Sequence, residues 1–411
     1  MIRSQNVYNE GFERSGLVSL ISEHAEQLQN VELESGDVLL NITGDSVARV
    51  CQVPNDILPA RVNQHVAIIR PDPTKLHARF LRFFLVSPAM QARLLALASA
   101  GATRNALTKG MIESLSVPSL SLKDQQGIAE LLGAMEDKLD LNRRTNETLA
   151  AMARALFKDW FVDFGPTRAK MQGIAPYLKV GLWDLFPSSL DNDGKPVGWR
   201  TVTLADLTER ITKGTTPTQE DIYAARNQTS EVNYLRVNAI ATDGSIIWNK
   251  LEKIPESIHF NVLRRSVLRE GDVLYTIAGT IGRMTIVDHD LLPANTNQAV
   301  AIIRADLKRV PARFLYLAMN AEWFQEKLHT NIVHAVQANL SLSTISKTTI
   351  TLPPFEKLIL LFQTADHLFD AIDNNSKQAR SLTHLRDLLL PRLMSGQVHL
   401  RGAEKQIEEA L

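Results

Sequence analysis

The side chains best equipped for chemistry in this 411-residue chain are hydroxyls, amides and cations set in glycine-punctuated loops. Thr276 to Arg283 carries Thr276, Thr280 and Arg283 around Gly279 and Gly282. Such a loop can come close to a phosphate and offer its guanidinium to a guanine edge or to the backbone. It also reads as an ordinary turn that uses glycine for positive φ. Lys213-Gly214-Thr215-Thr216 has the same two readings, phosphate-contacting loop or turn. Arg236 stands at a strand end, where a structural ion pair and a nucleic-acid contact are both open. Asn295, Asn297 and Gln298 carry amides of the kind that read adenine through two hydrogen bonds. Asn297-Gln298 recurs earlier as Asn63-Gln64, which favours a framework role at the start of the next strand. Arg49 is the earlier counterpart of Arg283. His334 and Gln337, beside Asn339, fall where the later segment diverges from Thr103-Arg104-Asn105. Divergence inside a repeated frame is what two different targets require, which makes Arg104, Asn105, His334 and Gln337 candidates.

Catalytic signatures do not accompany these loops. There is no GxxxxGK[ST] phosphate loop, no HExxH and no Gly-x-Ser-x-Gly elbow. The ten histidines lack metal-ligand spacing, and Cys51, the only cysteine, excludes intrachain disulfides and Cys-rich zinc sites. Leu352-Pro353-Pro354-Phe355 looks like the Asp/Asn-Pro-Pro-Tyr/Phe motif of DNA amino-methyltransferases. Leu352 offers no acceptor for an exocyclic amine, however, and no glycine-rich turn suits S-adenosylmethionine. The plain reading, a strand end leading into a helix, is preferred. Apolar runs are short and broken by charge, so none spans a bilayer. The Met1-Ile2-Arg3-Ser4-Gln5 start is no signal peptide. The expected setting is reducing and cytoplasmic. Net charge is zero, with eleven basic and eleven acidic groups in residues 1–120 and seventeen against fifteen in 196–353. A nucleic-acid ligand therefore requires cations clustered on one face, or charge supplied by a partner.

The elements that must position these loops are written twice. From Ile128 a 4-3-4-3 spacing runs through Leu132, Met135, Leu139, Asn142, Asn146, Leu149, Ala153, Leu156 and Trp160. It returns 233 residues later as Leu361, Ala365, Leu368, Ile372, Asn375, Ala379, Leu382, Arg386, Leu389 and Leu393. This is the seam of a long helix that packs on another long helix. About forty residues of helix extend roughly 60 Å, more than one small domain covers. Asn142 and Asn375 are placed to fix the register of the pair. Ahead of each helix stand matching strand and turn segments: Gly36-Asp37-Val38-Leu39 with Gly271-Asp272-Val273-Leu274, and Asn63-Gln64 through Arg70 with Asn297-Gln298 through Arg304. Arg79-Phe80-Leu81 likewise matches Arg313-Phe314-Leu315. True duplication follows. The first copy has no counterpart of 196–234, so either the recorded start is late or that copy is naturally truncated.

Three further segments complete the pattern: Leu156-Phe157-Lys158-Asp159-Trp160-Phe161-Val162-Asp163-Phe164, Leu389-Leu390-Pro391-Arg392-Leu393-Met394-Ser395-Gly396, and Pro196-Val197-Gly198-Trp199. In this order they make the chain resemble, over essentially its whole length, the specificity (S) subunits of type I restriction–modification enzymes. The resemblance implies an α+β fold: two tandem α/β target recognition domains separated by two long helices packed as an intramolecular antiparallel coiled coil. The expected divisions are a first recognition domain at 1–120, lacking its start, a first spacer helix at 121–164 and a turn-rich connector at 165–195. A second recognition domain at 196–355, a second spacer helix at 356–396 and a tail at 397–411 follow. The implied role is non-catalytic, with each domain reading half of a split target in double-stranded DNA. Partners would be methyltransferase (M) subunits, two of them, and restriction (R) subunits. The chain itself would hold no cofactor, since S-adenosylmethionine, ATP and Mg2+ would be used by those partners. An inactive or orphan specificity subunit and a coiled-coil adaptor without a DNA role are the alternatives.

Overall fold

The computed structural model describes residues 1–99, 105–332, 339–400, 402–403 and 405. The chain divides into two units, residues 1–145 with 374–411, and residues 146–373. In the first unit, Val7–Tyr8 (β1) pairs with Gly11–Phe12 (β2), and Val38–Asn41 (β3), Val50–Gln52 (β4) and Val66–Ile69 (β5) form an antiparallel sheet in the order β4-β3-β5. In the second unit the strands are Arg200–Thr203 (β6), Thr208–Lys213 (β7), Ser230–Leu235 (β8), Glu252–Pro255 (β9), Val273–Thr276 (β10), Met284–Ile286 (β11), Ala294–Thr296 (β12), Val300–Ala305 (β13) and Thr349–Leu352 (β14). They form sheets β11-β10-β13-β7, β12-β8-β9 and β14-β6, with β12 and β8 parallel and the other pairs antiparallel.

The duplication read from the sequence is a duplication of register. Val38 faces Ile69 across β3 and β5, as Val273 faces Ile303 across β10 and β13. Side chains alternate across a strand, and in both units the alternation feeds two cores. Val273 and Tyr275 enter one hydrophobic cluster while Leu274 enters another. Val38 and Leu40 do the same on one face of β3, with Leu39 on the other. A strand apolar on both faces belongs at the centre of a domain, which is where the short Val-Leu runs sit. The closing of each sheet differs. The second edge of β13 is covered by β7, whereas among the described residues β5 pairs only with β3.

A buried carboxylate locks each frame. Asp37 accepts two hydrogen bonds from Arg70, at 2.7 and 2.8 Å, and a third from the Glu34 amide at 2.8 Å. Asp272 accepts two from Arg304, both at 2.7 Å, and one from the Arg269 amide at 2.8 Å. Both aspartate side chains are fully buried. The pairing raises the Arg304 pKa, chiefly through its hydrogen bonds to Asp272. Bidentate geometry makes these charge-assisted contacts among the stronger polar ones in the fold.

Two long helices complete the units, Leu122–Phe157 and Phe355–Met394. The first is capped by Ser121, whose hydroxyl accepts the Asp124 amide at 3.1 Å. The second starts directly after Pro353-Pro354, whose rings restrict the preceding backbone to extended conformations and so mark the boundary. In the first unit Ile128, Leu132 and Met135 share a core with Leu382, Leu385, Leu389 and Leu393. In the second, Ala153 and Phe157 share one with Leu358, Leu361, Phe362 and Ala365. The start of each helix thus meets the end of the other, an antiparallel pairing visible within each unit separately. The buried Asn142 amide donates to the Asn375 carbonyl at 3.3 Å and to Gln378 Oε1 at 2.9 Å. Asn142 thus reaches the backbone of the second helix at Asn375.

The first helix ends sooner than its repeat spacing predicts. After Phe157 the chain widens into a π turn, Lys158–Val162, and Phe164 adopts a left-handed φ of 55° before Gly165-Pro166. Residues 165–195 are more than a connector. They form short helices at Gly165–Met171 and Val180–Trp183, and they bury Trp183 and Phe186. Phe186 meets Trp160 edge to face and Trp199 at a tilt, with ring centroids 5.8 and 6.4 Å apart. The polar Asn192-Asp193-Gly194 turns masked these anchors in the sequence. Among the described residues no single helix is long and apolar enough to cross a membrane.

Candidate nucleic-acid interface

In the second unit the side chains proposed from sequence separate into two groups. Lys213 ends β7, and Thr215 and Thr216 lie in the exposed loop that follows, which is strapped to the turn between β12 and β13. The Gly214 amide donates to Val300 O and the Thr215 amide to Thr296 O, both at 3.0 Å. A Cβ on Gly214 would stand 2.1 Å from Thr296 O and 2.2 Å from Asn297 O, so only glycine lets the two backbones meet. Thr216 hydrogen-bonds to the exposed Gln298, and the Tyr234 hydroxyl donates to Thr215 O at 2.9 Å. Burial raises the Tyr234 pKa, keeping that hydroxyl protonated and able to donate. Arg236 lies 5.8 Å from the Tyr234 ring and pairs with Glu252 at 2.9 Å. Lys213 pairs with no carboxylate among the described residues. This group presents hydroxyls, an amide and cations on one polar ridge.

The other group belongs to the scaffold, which corrects three of the sequence assignments. Asn295 is fully buried: its amide donates to Leu263 O at 3.1 Å, and its oxygen meets His259 Nδ1. Thr276 is also fully buried, donating to Thr280 O at 2.6 Å and accepting the Arg283 amide at 2.9 Å. Arg283 is half-buried and spends its guanidinium on Ile240 O at 2.8 Å. Neither Asn295 nor Thr276 can reach a ligand, and Arg283 braces a loop. Thr280 alone of this loop projects an exposed side chain. Asn297 caps the following strand, its Oδ1 accepting the Ala299 amide at 3.2 Å, as Asn63 does for His65.

In the first unit Arg49 sits beside an open cleft of about 400 Å³ with its guanidinium 4.6 Å from the Tyr8 ring centroid. Asn105 is exposed and its carbonyl accepts the Gly44 amide at 3.3 Å. The same cleft holds Thr43 and His65, joined at 2.7 Å, and the exposed Gln5. Sequence reasoning passed over all three, although Thr43 and His65 stand where the second copy has alanines. Arg104, His334 and Gln337 lie outside the described residues. No group of His, Cys, Asp or Glu among the described residues is arranged to hold a metal ion.

The fold and these surfaces define a duplicated, two-unit binding protein whose polar loops are mounted on strand ends. The family model described as "Type I restriction modification DNA specificity domain" matches residues 1–151 and again 196–380, and the chain belongs to that family. It is 24% identical over 412 aligned residues to the type I restriction enzyme HindI specificity subunit of Haemophilus influenzae, covering 89% of this chain and 87% of that one. It is 24% identical over 351 residues to the EcoBI specificity subunit of Escherichia coli, covering 84% and 69% respectively. Among solved structures, the type I restriction–modification S subunit from M. genitalium shares the fold, with a TM-score of 0.53 and 15% identity over 96% of this chain and 91% of that one.

Proposed function

We propose that this chain is the DNA sequence-recognition subunit of a type I restriction–modification complex, each unit reading one half of a bipartite target in double-stranded DNA. The observation that carries this is the repeated family match, which coincides with a duplicated frame presenting different polar side chains in its two copies. On this reading the chain is not a catalyst. Two methyltransferase subunits would bring S-adenosylmethionine, and restriction subunits would bring ATP and Mg2+ chemistry. The overall charge balance is consistent with partners sharing the phosphate contacts, leaving base readout to loops such as Lys213–Thr216 with Gln298. Thr280, Arg236 and Asn105 are further exposed candidates. The test is selection of bound duplexes from a random library by the chain reconstituted with the M subunits of its own system. Two conserved blocks at a fixed spacing are expected. A single uninterrupted block, or binding without sequence preference, overturns the reading; assembly without selective binding would favour an inactive specificity subunit.

A further inference from the structure

The two units hold the same frame and part company at two adjoining side chains. Asn63 and Asn297 cap the strands that follow them through the same 3.2 Å hydrogen bond, to the amides of His65 and Ala299. The Asn41 amide donates to Arg49 O, and the Thr276 amide to Arg283 O, both at 2.9 Å. The backbone at these positions is therefore conserved between the copies, and what it displays is not. Where the second unit has Ala278 and Ala299, the first has Thr43 and His65. Their side chains meet, Thr43 Oγ1 lying 2.7 Å from His65 Nδ1. A methyl at either position satisfies the frame, so the hydroxyl and imidazole of the first unit are not required by it.

Both side chains line the open cleft together with Gln5, Tyr8, Asp45 and Arg49. The Thr43 contact fixes the imidazole plane and leaves His65 Nε2 without a hydrogen-bond partner among the described residues. If the Thr43 hydroxyl donates to Nδ1, Nε2 carries the proton and can donate to a purine N7 or O6. If Nδ1 donates, Nε2 accepts and can take the adenine or cytosine amine. Asp45 is acceptor-only, so it repels a phosphate and suits a base amine. Arg49, stacked on Tyr8, supplies a guanidinium at the same mouth. The mixture of an imidazole, an amide, a carboxylate and a guanidinium matches the edges of base pairs better than a sugar–phosphate track.

We propose that Thr43 and His65 are specificity-determining residues of the first unit, acting as one hydrogen-bonded pair on a base edge in its half-site. This rests on the DNA-recognition reading above and assigns it to particular side chains. The test uses the full chain reconstituted with its M subunits and selection from a random duplex library, comparing wild type with Thr43→Ala/His65→Ala and with His65→Gln. The double substitution installs the residues that the second unit carries at the same places, and thermal unfolding should be little changed. Discrimination is expected to fall by roughly five- to hundredfold at one or two positions of one block, with the other block and the spacing intact. His65→Gln should change the preferred base at those positions. An unchanged motif in both variants overturns the proposal, as does a uniform loss of affinity across sequences, which would make the pair a phosphate contact. Wild type selecting no motif would instead sink the DNA-recognition reading itself, and this proposal with it.

Discussion

At the scale of single residues, burial decides which polar side chains can meet a ligand. Arg283 illustrates this. Sequence offers it as a guanidinium in a glycine loop, but its Nη1 donates to Ile240 O and the loop folds back through Thr276. Arg283→Ala should therefore lower the stability of the second unit by about 1–3 kcal/mol, read as a shift in the urea midpoint with unchanged slope. Base discrimination in the selection experiment should stay as it is. Lost discrimination with unaltered unfolding would restore Arg283 as a contact. Cys51 gives an independent check on the first unit. It is buried on β4, and desolvation pushes its thiol up to about 12. Because the thiolate is the nucleophile, iodoacetamide at about pH 8 should modify the native protein very slowly and the urea-unfolded protein readily. Rapid labelling of the native chain would contradict the packing of β3 on β4. Hydroxyls, amides and arginines announce themselves in a sequence as possible contacts. Whether each one faces water is set by strand parity and by which neighbour takes its hydrogen bonds, and neither is written locally. That is why the burial of Asn295 and Thr276, and the meeting of Thr43 with His65, have no signal in the sequence.

At the scale of elements, periodicity carried more information than side-chain identity. The long helices and their mutual packing were legible because the 4-3 spacing persists over many turns and recurs, a pattern that a single small domain does not need. The end of the first helix was not, since Lys158–Val162 continues the apolar pattern through a π turn and Phe164 breaks it by a left-handed φ. The aromatic anchors Trp183 and Phe186 escaped notice because single residues in a polar stretch generate no period. Charge supplies the other element-scale device. Arg313, on the short helix Ala312–Asn320, donates to Asp366, Asp370 and Asp373 at 2.7, 2.7 and 2.6 Å. These carboxylates lie along one face of the second long helix. Burial holds the Asp373 carboxyl above its ordinary range, and Arg313 opposes that shift. In Arg313→Ala the opposing charge is gone and the Asp373 pKa rises further. A carboxyl with a raised folded-state pKa favours the fold when protonated and disfavours it as pH climbs through that value. The variant should accordingly be destabilised by about 2 kcal/mol near neutrality, and the deficit should shrink toward about pH 4. Chemical denaturation at both pH values measures it. A deficit that is constant with pH would assign the loss to packing of the arginine stem.

At the scale of the whole molecule, the division into units falls inside the long helices, at Thr145/Asn146 in the first and Asp373/Asn374 in the second. Each unit therefore owns one end of both helices, and the hydrophobic contacts that hold its helix ends together are its own. This partition makes an experiment possible that single-helix changes would confound. Four residues inserted at 145/146 alone would shift one helix against the other and rotate the apolar face that follows. Four residues inserted at both junctions leave the helix register within each unit as it is, because everything N-terminal to one junction and C-terminal to the other belongs to the same unit. The added length is about 6 Å at 1.5 Å per residue, equivalent to roughly two base pairs at 3.4 Å per step. If the paired helices set the distance between half-sites, the doubly inserted chain should select the same two blocks with a spacer longer by about that amount. The singly inserted chain should lose stability, seen as a lower thermal midpoint. An unaltered spacer in the double insertion would show that the gap is fixed elsewhere, by the M subunits or by the DNA, and would reduce the helices to a scaffold for docking. Loss of one block with the other retained would show that the two units read independently but that length does not measure the distance between them.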